Sequence, residues 1–311
     1  MSIPKKFLFL MAAAAGVCWG TYGTFATVMS NYGVSEGAIS MIAPLGYGLF
    51  FLFLLAKDNI RKIIVAKKLI PVVLFYGVQS AVLNFSLVKA YLYLPIGIVS
   101  TIVFCNLFLL MVFCRILFKD KMTWQKGVAA GLAVLGIALV LNVFDLSFSW
   151  NLQGLVWTGV ALLCWALMVT SEKYLLNCGV DGNAVMVFNG LFAVIFLCFY
   201  TAPWVVFANL GAAAAASHGM VMLPLAAFIA VTSIGTYFFY ISALKRLEAS
   251  IVQLGFVMDP LTASILGFAV FGQALLPVQI IGVLLIISVV VWIQWLEVKA
   301  ERAAVSTTQT E

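Results

Sequence analysis

A single histidine, His218, serves the whole chain, and only 9% of its 311 residues are charged. A soluble domain carries about 25%. So little charge leaves no stretch that could form a water-soluble domain. The lone histidine lies in an Ala-rich loop, which removes histidine-based catalysis and histidine-rich metal sites. There is no Walker-type glycine-rich loop, so the chain does not itself hydrolyse nucleotides. Six cysteines occur without metal-ligand spacing and mostly inside apolar runs, where they read as reduced packing residues. No cofactor is expected. The net charge of +6 does not imply a nucleic-acid partner, because the basic residues sit in short loops between apolar runs.

What is present is apolar: 65% of residues are hydrophobic and the mean hydropathy is +1.15. A helical span needs about 20 apolar residues. Hydropathy predicts ten of them, at 7–29, 38–56, 69–90, 96–117, 124–143, 154–171, 184–204, 222–243, 250–271 and 278–296. The first run, led by Lys5 and Lys6, is longer than a signal-peptide core and has no small-residue cleavage site after it, so it reads as a first transmembrane helix. With the N-terminus inside, Lys89 is the one residue among 17 lysines and arginines that falls on the outer side. This asymmetry places both termini in the cytoplasm. The expected fold class is an all-α polytopic membrane protein.

The stretch 250–271 stands out, because Asp259 and Pro260 lie near its middle. A carboxylate at mid-depth costs at least ~2.5 kcal/mol. Proline lacks a backbone donor and disfavours helical geometry in the residue before it. Asp-Pro therefore reads as an N-cap and first helical residue, which predicts a helix kinked or broken in mid-membrane with a carboxylate at the break. Asp259 is the one acid expected inside the spans. That scarcity argues against an intramembrane enzyme, which needs a clustered nucleophile and base or a set of metal ligands. A passive channel would favour charged rings or a filter motif, and neither is visible.

The chain also repeats itself. Asn31-Tyr32-Gly33-Val34 returns 146 residues later as Asn177-Cys178-Gly179-Val180, and Cys18-Trp19 returns at the same offset as Cys164-Trp165. At an offset of 153, Ala90, Leu94, Ile98 and Val99 return as Ala243, Leu247, Ile251 and Val252. The loop 207–219 absorbs the difference. Two five-span repeats are expected at 1–146 and 147–298, followed by a cytoplasmic tail at 299–311. Five is odd, so the second repeat is inverted, the arrangement that supports alternating access around a midplane site. Under the second offset Asn106 pairs with Asp259, and a pseudo-twofold axis would bring them close together.

Several other residues are candidates for substrate binding. Trp19 and Trp165 lie in mid-span, where the interfacial aromatic belt does not account for them; they either flank a substrate or pack. Tyr22 shares a face with Trp19. Ser233, Thr236, Tyr237 and Tyr240 form one polar stripe on the eighth span, which either lines a pore or bonds between helices. Ser80 and Asn84 in the third span, and Gln253 six residues before Asp259, complete the set. Lys89 is expected to snorkel to the outer surface. Gly16, Gly20 and Thr24, and likewise Gly127 and Gly131, have the four-residue spacing of close helix contacts.

Taken together, the sequence resembles the drug/metabolite transporter superfamily, of the ten-helix type with two EamA-like repeats. The resemblance rests on Cys18-Trp19-Gly20 and its repeat at 164–166. It rests also on Ala-x-x-x-Leu before each fourth repeat helix, on Asp259-Pro260, and on Gln279-x-x-Gly282. The chain departs from the family pattern in having Leu107 where a proline is frequent, and Asp120 and Gln273 where glutamates are frequent. The resemblance implies a central cavity lined by spans 1, 3, 4, 6, 8 and 9, with spans 5 and 10 peripheral. The expected function is secondary transport of a small metabolite by alternating access. Asp259 and the mid-span aromatics suit an amino acid, an amine or a quaternary ammonium compound. Asp259 is also a candidate proton carrier; an equilibrative carrier without ion coupling is the alternative. The expected setting is the inner membrane of a bacterial cell, as a monomer or a homodimer paired through spans 5 and 10.

Overall fold

The computed structural model describes residues 5–118, 124–140, 151–244, 252, 256 and 258–308, and among these the regular structure is entirely helical. In chain order the helices are α1 Lys5–Gly20, α2 Tyr22–Asn31, α3 Glu36–Asp58, α4 Ile70–Tyr93, α5 Ile96–Phe104 and α6 Asn106–Phe118. Then follow α7 Trp124–Val140, α8 Leu152–Asn177, α9 Gly182–Leu197, α10 Pro203–Ala216, α11 Met222–Ala227, α12 Thr236–Leu244, α13 Met258–Phe271 and α14 Pro277–Thr308. Phe228–Gly235, between α11 and α12, is π-helical. Among the described residues, Glu36–Asp58, Lys67–Tyr93, Leu152–Asn177 and Met222–Leu244 are each long and apolar enough to cross a membrane unaided, and further apolar helices are shorter.

Some of the shorter ones are halves of one predicted span. The first span breaks at Thr21, where the Thr21 hydroxyl donates 2.6 Å to the Cys18 carbonyl. The fourth breaks at Cys105, and α6 begins at Asn106. The helix carrying Asp259 begins at Met258, so the carboxylate lies in a first helical turn and Pro260 follows where a missing N–H costs least. Asn106 and Asp259, paired by the repeat, thus occupy equivalent places at the start of α6 and α13.

The repeated Asn-x-Gly-Val motif has a structural meaning. Gly33 and Gly179 take φ of 83° and 82°, a left-handed conformation open to glycine. Gly33 N donates to Ser30 O (2.9 Å) and Val34 N to Met29 O (3.1 Å). At the repeat, Gly179 N donates to Leu176 O (3.0 Å) and Val180 N to Leu175 O (3.2 Å). Both are Schellman helix ends. Each is followed by an N-cap at the same offset, Ser35 for α3 and Asp181 for α9.

Exchange of the two halves carries the packing onto itself. Helix α3 packs on α9, α5 on α13 and α7 on α14, while α4 on α8 is matched by α12 on α1. The backbones of α3 and α9 meet at Gly190, where a Cβ would strike the Pro44 carbonyl oxygen and lie 2.6 Å from the Gly48 Cα. Gly20 is also a close contact, against Asp259 and Thr262 of α13, but Gly127 and Gly131 face open space. The α7–α14 contact runs instead through Gly136, against Ile286, on another face of the helix.

The loop expected at 207–219 is mostly helix α10, and the seventh span ends at Leu197 instead of 204. Phe199, Tyr200 and Trp204 kept the hydropathy high across the break although all three are exposed, and Pro203 starts the new helix in the first-turn position that suits it. From α10, Asn209 accepts from Ser35 N at 2.7 Å and donates to Gly33 O at 3.1 Å, clamping the α2–α3 turn. Lys89 lies in an ion pair with Glu36, at the first residue of α3. At the opposite end of α3, Lys62 pairs with Asp58 (2.5 Å) and reaches Asp181 (3.8 Å). The bond from Asp58 raises the Lys62 pKa.

Gly190→Leu is expected to lower the melting temperature of the detergent-purified protein, because overpacking a tight contact costs about 1–3 kcal/mol. Gly211→Ala, at a site with no atom within 4 Å of a new Cβ, should leave it unchanged.

Candidate functional site

Trp19 of α1 and Trp165 of α8, equivalent residues of the two repeats, meet edge to face with ring centroids 4.9 Å apart. Tyr237 of α12 stands perpendicular to Trp19 at 5.9 Å and close to Tyr47 at 3.9 Å. Phe256 packs against both Trp165 (6.2 Å) and Tyr240 (5.6 Å). The rings line a small, partly open space with about 20 Å³ open to the centre of a water-sized sphere.

The floor of this space is acidic. Glu172 lines it, 2% exposed, and its Oε2 accepts from the Tyr240 hydroxyl at 3.2 Å. The expectation that Asp259 is the single acid inside the spans is therefore corrected. The sixth span is expected to end at 171, but α8 continues through Glu172 and Lys173 to Asn177. One signal could have found it: Trp165, Met168, Val169 and Glu172 are spaced i, i+3, i+4, i+7, one helical face that points into the space.

The predicted polar stripe on the eighth span divides. Thr236, Tyr237 and Tyr240 line the space. Ser233 lies on the π-helical segment and donates to the Ala43 carbonyl of α3 at 2.6 Å, an interhelical bond. Tyr22 packs against Trp19 at 5.2 Å and donates to Asn84 Oδ1 at 3.2 Å, while Asn84 Nδ2 donates to Ser80 O at 2.8 Å. Ser80 in turn donates to Asn189 Oδ1 at 2.7 Å, and Tyr47 donates to the same oxygen. A buried polar chain thus runs from Tyr22 beside the aromatic box to Asn189 on α9. Tyr47 and Asn189 were not singled out by sequence, because nothing in their spacing separates them from other polar residues of packed spans.

Asp259 occupies a second position. It is 3% exposed and its Oδ1 has no partner. Ser100 lies within hydrogen-bonding reach of its carboxyl, with Tyr91 beside it, and Tyr91 faces Ser100 at 3.4 Å. Tyr91 is in turn 6.0 Å from Tyr22, so aromatic contacts connect the two regions. Asn106 is buried, donates to the Val103 carbonyl of the preceding turn at 2.8 Å, and leaves its Oδ1 unpaired. Its helix packs on α8, whereas α13 packs on α1, α2 and α5. Among the described residues no hydrogen bond joins Asn106 to Asp259. Gln253 lies outside the described residues. Gln273, at the position where the resembled family has a glutamate, accepts from Ile96 N at 3.1 Å and so satisfies the first turn of α5 across the repeats.

Tyr240→Phe removes the hydroxyl that donates to Glu172. An unsatisfied buried group costs about 1–3 kcal/mol, so thermal unfolding in detergent should begin at a clearly lower temperature. Phe256→Leu, which removes no polar partner, serves as the comparison.

The EamA-like transporter family model matches residues 6–142 and 152–295, one copy in each half. A solved crystal structure shares the fold with a TM-score of 0.64 at 15% identity, over 95% of this chain and 99% of that one. No curated protein matches the sequence. With both halves covered by that family model and the described residues all-helical, the chain belongs to the EamA-like transporter family, the membrane transporters of small molecules.

Proposed function

We propose that the protein is a secondary transporter of a small amine-bearing metabolite, an amino acid or an amine, working by alternating access. The ten spans form two inverted repeats, 1–146 and 147–298, with both termini in the cytoplasm of a bacterial cell. The two repeats rock about the space between Trp19 and Trp165. One observation carries the substrate class: equivalent tryptophans from both repeats, two tyrosines and a carboxylate line one small space. Aromatic faces attract a desolvated cation by about 2 kcal/mol or more. Among the described residues no lysine or arginine lines this space, which argues against phosphates and dicarboxylates.

Alternating access needs closures that form and break at the two ends. The Lys89–Glu36 pair at one end of α3, and the Lys62–Asp58–Asp181 group at the other, suit that role. Asp259 is the proton carrier in this reading. It sits at a helix start outside the aromatic box, buried and with one oxygen unpaired, so it can load and release a proton without displacing the substrate.

The test compares small-molecule pools in cells and medium for empty vector, wild type, Asp259→Asn and Trp165→Ala at equal expression. Wild type should redistribute particular amines or amino acids. Trp165→Ala should slow this about tenfold or more, in line with the loss of a desolvated cation–π contact. Asp259→Asn should still exchange the same compounds but no longer accumulate them against an imposed pH gradient. Accumulation that survives Asp259→Asn removes the proton role; redistribution without accumulation in wild type, whatever the imposed gradient, leaves an equilibrative carrier.

A further inference from the structure

Two buried oxygens in the central space have no partner. Glu172 Oε1 and Thr236 Oγ1 each lack a hydrogen bond, and both residues line the same space of about 20 Å³. Buried polar atoms are nearly always paired, so two orphans around one space ask for a donor. The Tyr76 hydroxyl of α4 lies within hydrogen-bonding reach of the Glu172 carboxyl and has no other partner. A neutral phenol would in any case leave the carboxylate charge unbalanced. What satisfies both oxygens and the charge together is a small cation with several N–H donors.

We propose that the space binds the primary ammonium group, –NH3+, of the substrate, with Glu172 Oε1 and Thr236 Oγ1 accepting two of its three hydrogen bonds. The aromatic rings of Trp19, Trp165 and Tyr237 form the remaining wall, where a cation is attracted to ring faces. Chemistry selects this group: a trimethylammonium head has no N–H to offer either oxygen. The rest of the substrate lies beyond the box and requires the repeats to part. This inference rests on the transporter reading and narrows its amines and amino acids to those that carry a primary ammonium group, leaving out the quaternary ammonium compounds that the sequence also suited. It also assigns the counter-charge to Glu172 and keeps Asp259 for coupling.

The test uses the purified full-length protein in nanodiscs, followed by tryptophan fluorescence and titrated with methylammonium, tetramethylammonium or sodium chloride at matched ionic strength. Methylammonium should give a saturable change, and tetramethylammonium should be weaker by about tenfold or more, as expected when buried acceptors are left without donors. Glu172→Gln should abolish the methylammonium response, and Thr236→Val, which keeps the charge, should weaken it severalfold. Equal or tighter binding of tetramethylammonium, an equal response to sodium, no saturable response to methylammonium in wild type, or a full response in Glu172→Gln would each overturn the proposal. If Glu172→Gln does not fold, the wild-type comparison of the two ammonium ions decides. Binding without cellular redistribution of amines keeps this site and removes the transport reading. Redistribution that is indifferent to Glu172→Gln does the reverse.

Discussion

Inside a bilayer no water is available to a broken helix, so each freed backbone group has to be satisfied by the protein itself. That constraint explains where the irregularities of this chain lie. The break at Thr21 faces the π-helical segment, and the hydroxyls of Thr21 and Thr232 bond at 2.6 Å. Gly20, at the same break, touches the start of α13, where a side chain would strike the Asp259 carbonyl. The start of α5 is satisfied by Gln273 from the end of α13. At these three places a defect of one repeat meets a residue of the other, whereas the break at Cys105 is met within its own repeat, by Asn106 donating to Val103 O.

The same constraint gives the centre its function. Intact apolar helices offer only side chains to a substrate, and most of those are aliphatic. Broken and π-helical segments bring polar backbone and side-chain groups to mid-depth, and π-helical turns recur at functional sites for this reason. Around them the chain places two carboxylates in different settings. Glu172 shares a space with aromatic rings and a hydroxyl from Tyr240, whereas Asp259 lies at a helix start near Ser100 and Tyr91. Two acids in separate settings allow one to meet a substrate while the other handles a proton. A single shared site would force them to compete.

Much of this architecture was legible without coordinates, because the bilayer simplifies the code. Continuous apolar runs mark helices, and the equal offset of Cys-Trp and Asn-x-Gly-Val marks the repeat. The structure explains the second motif as a pair of Schellman turns set by Gly33 and Gly179. Hydropathy failed where a helix ended among aromatic residues, at Phe199 and Tyr200, and where a helix continued through charged ones, at Glu172 and Lys173. In both places the average over a window could not register burial. Phe199 is 86% exposed and Glu172 only 2% exposed.

The order and character of the helices, the repeat, the pairing of Trp19 with Trp165 and the break before Asp259 follow from the sequence, because periodicity, proline chemistry and apolar length act locally along the chain. Tertiary structure decided which polar groups share a space. It brought Glu172 and Thr236 to the aromatic box, tied Tyr22 to Asn84, and turned Asn106 back onto the last turn of α5. Those outcomes depend on the rotation of each helix about its axis and on the π-helical shift of register before Thr236. Both are set by packing against neighbours far away in the chain.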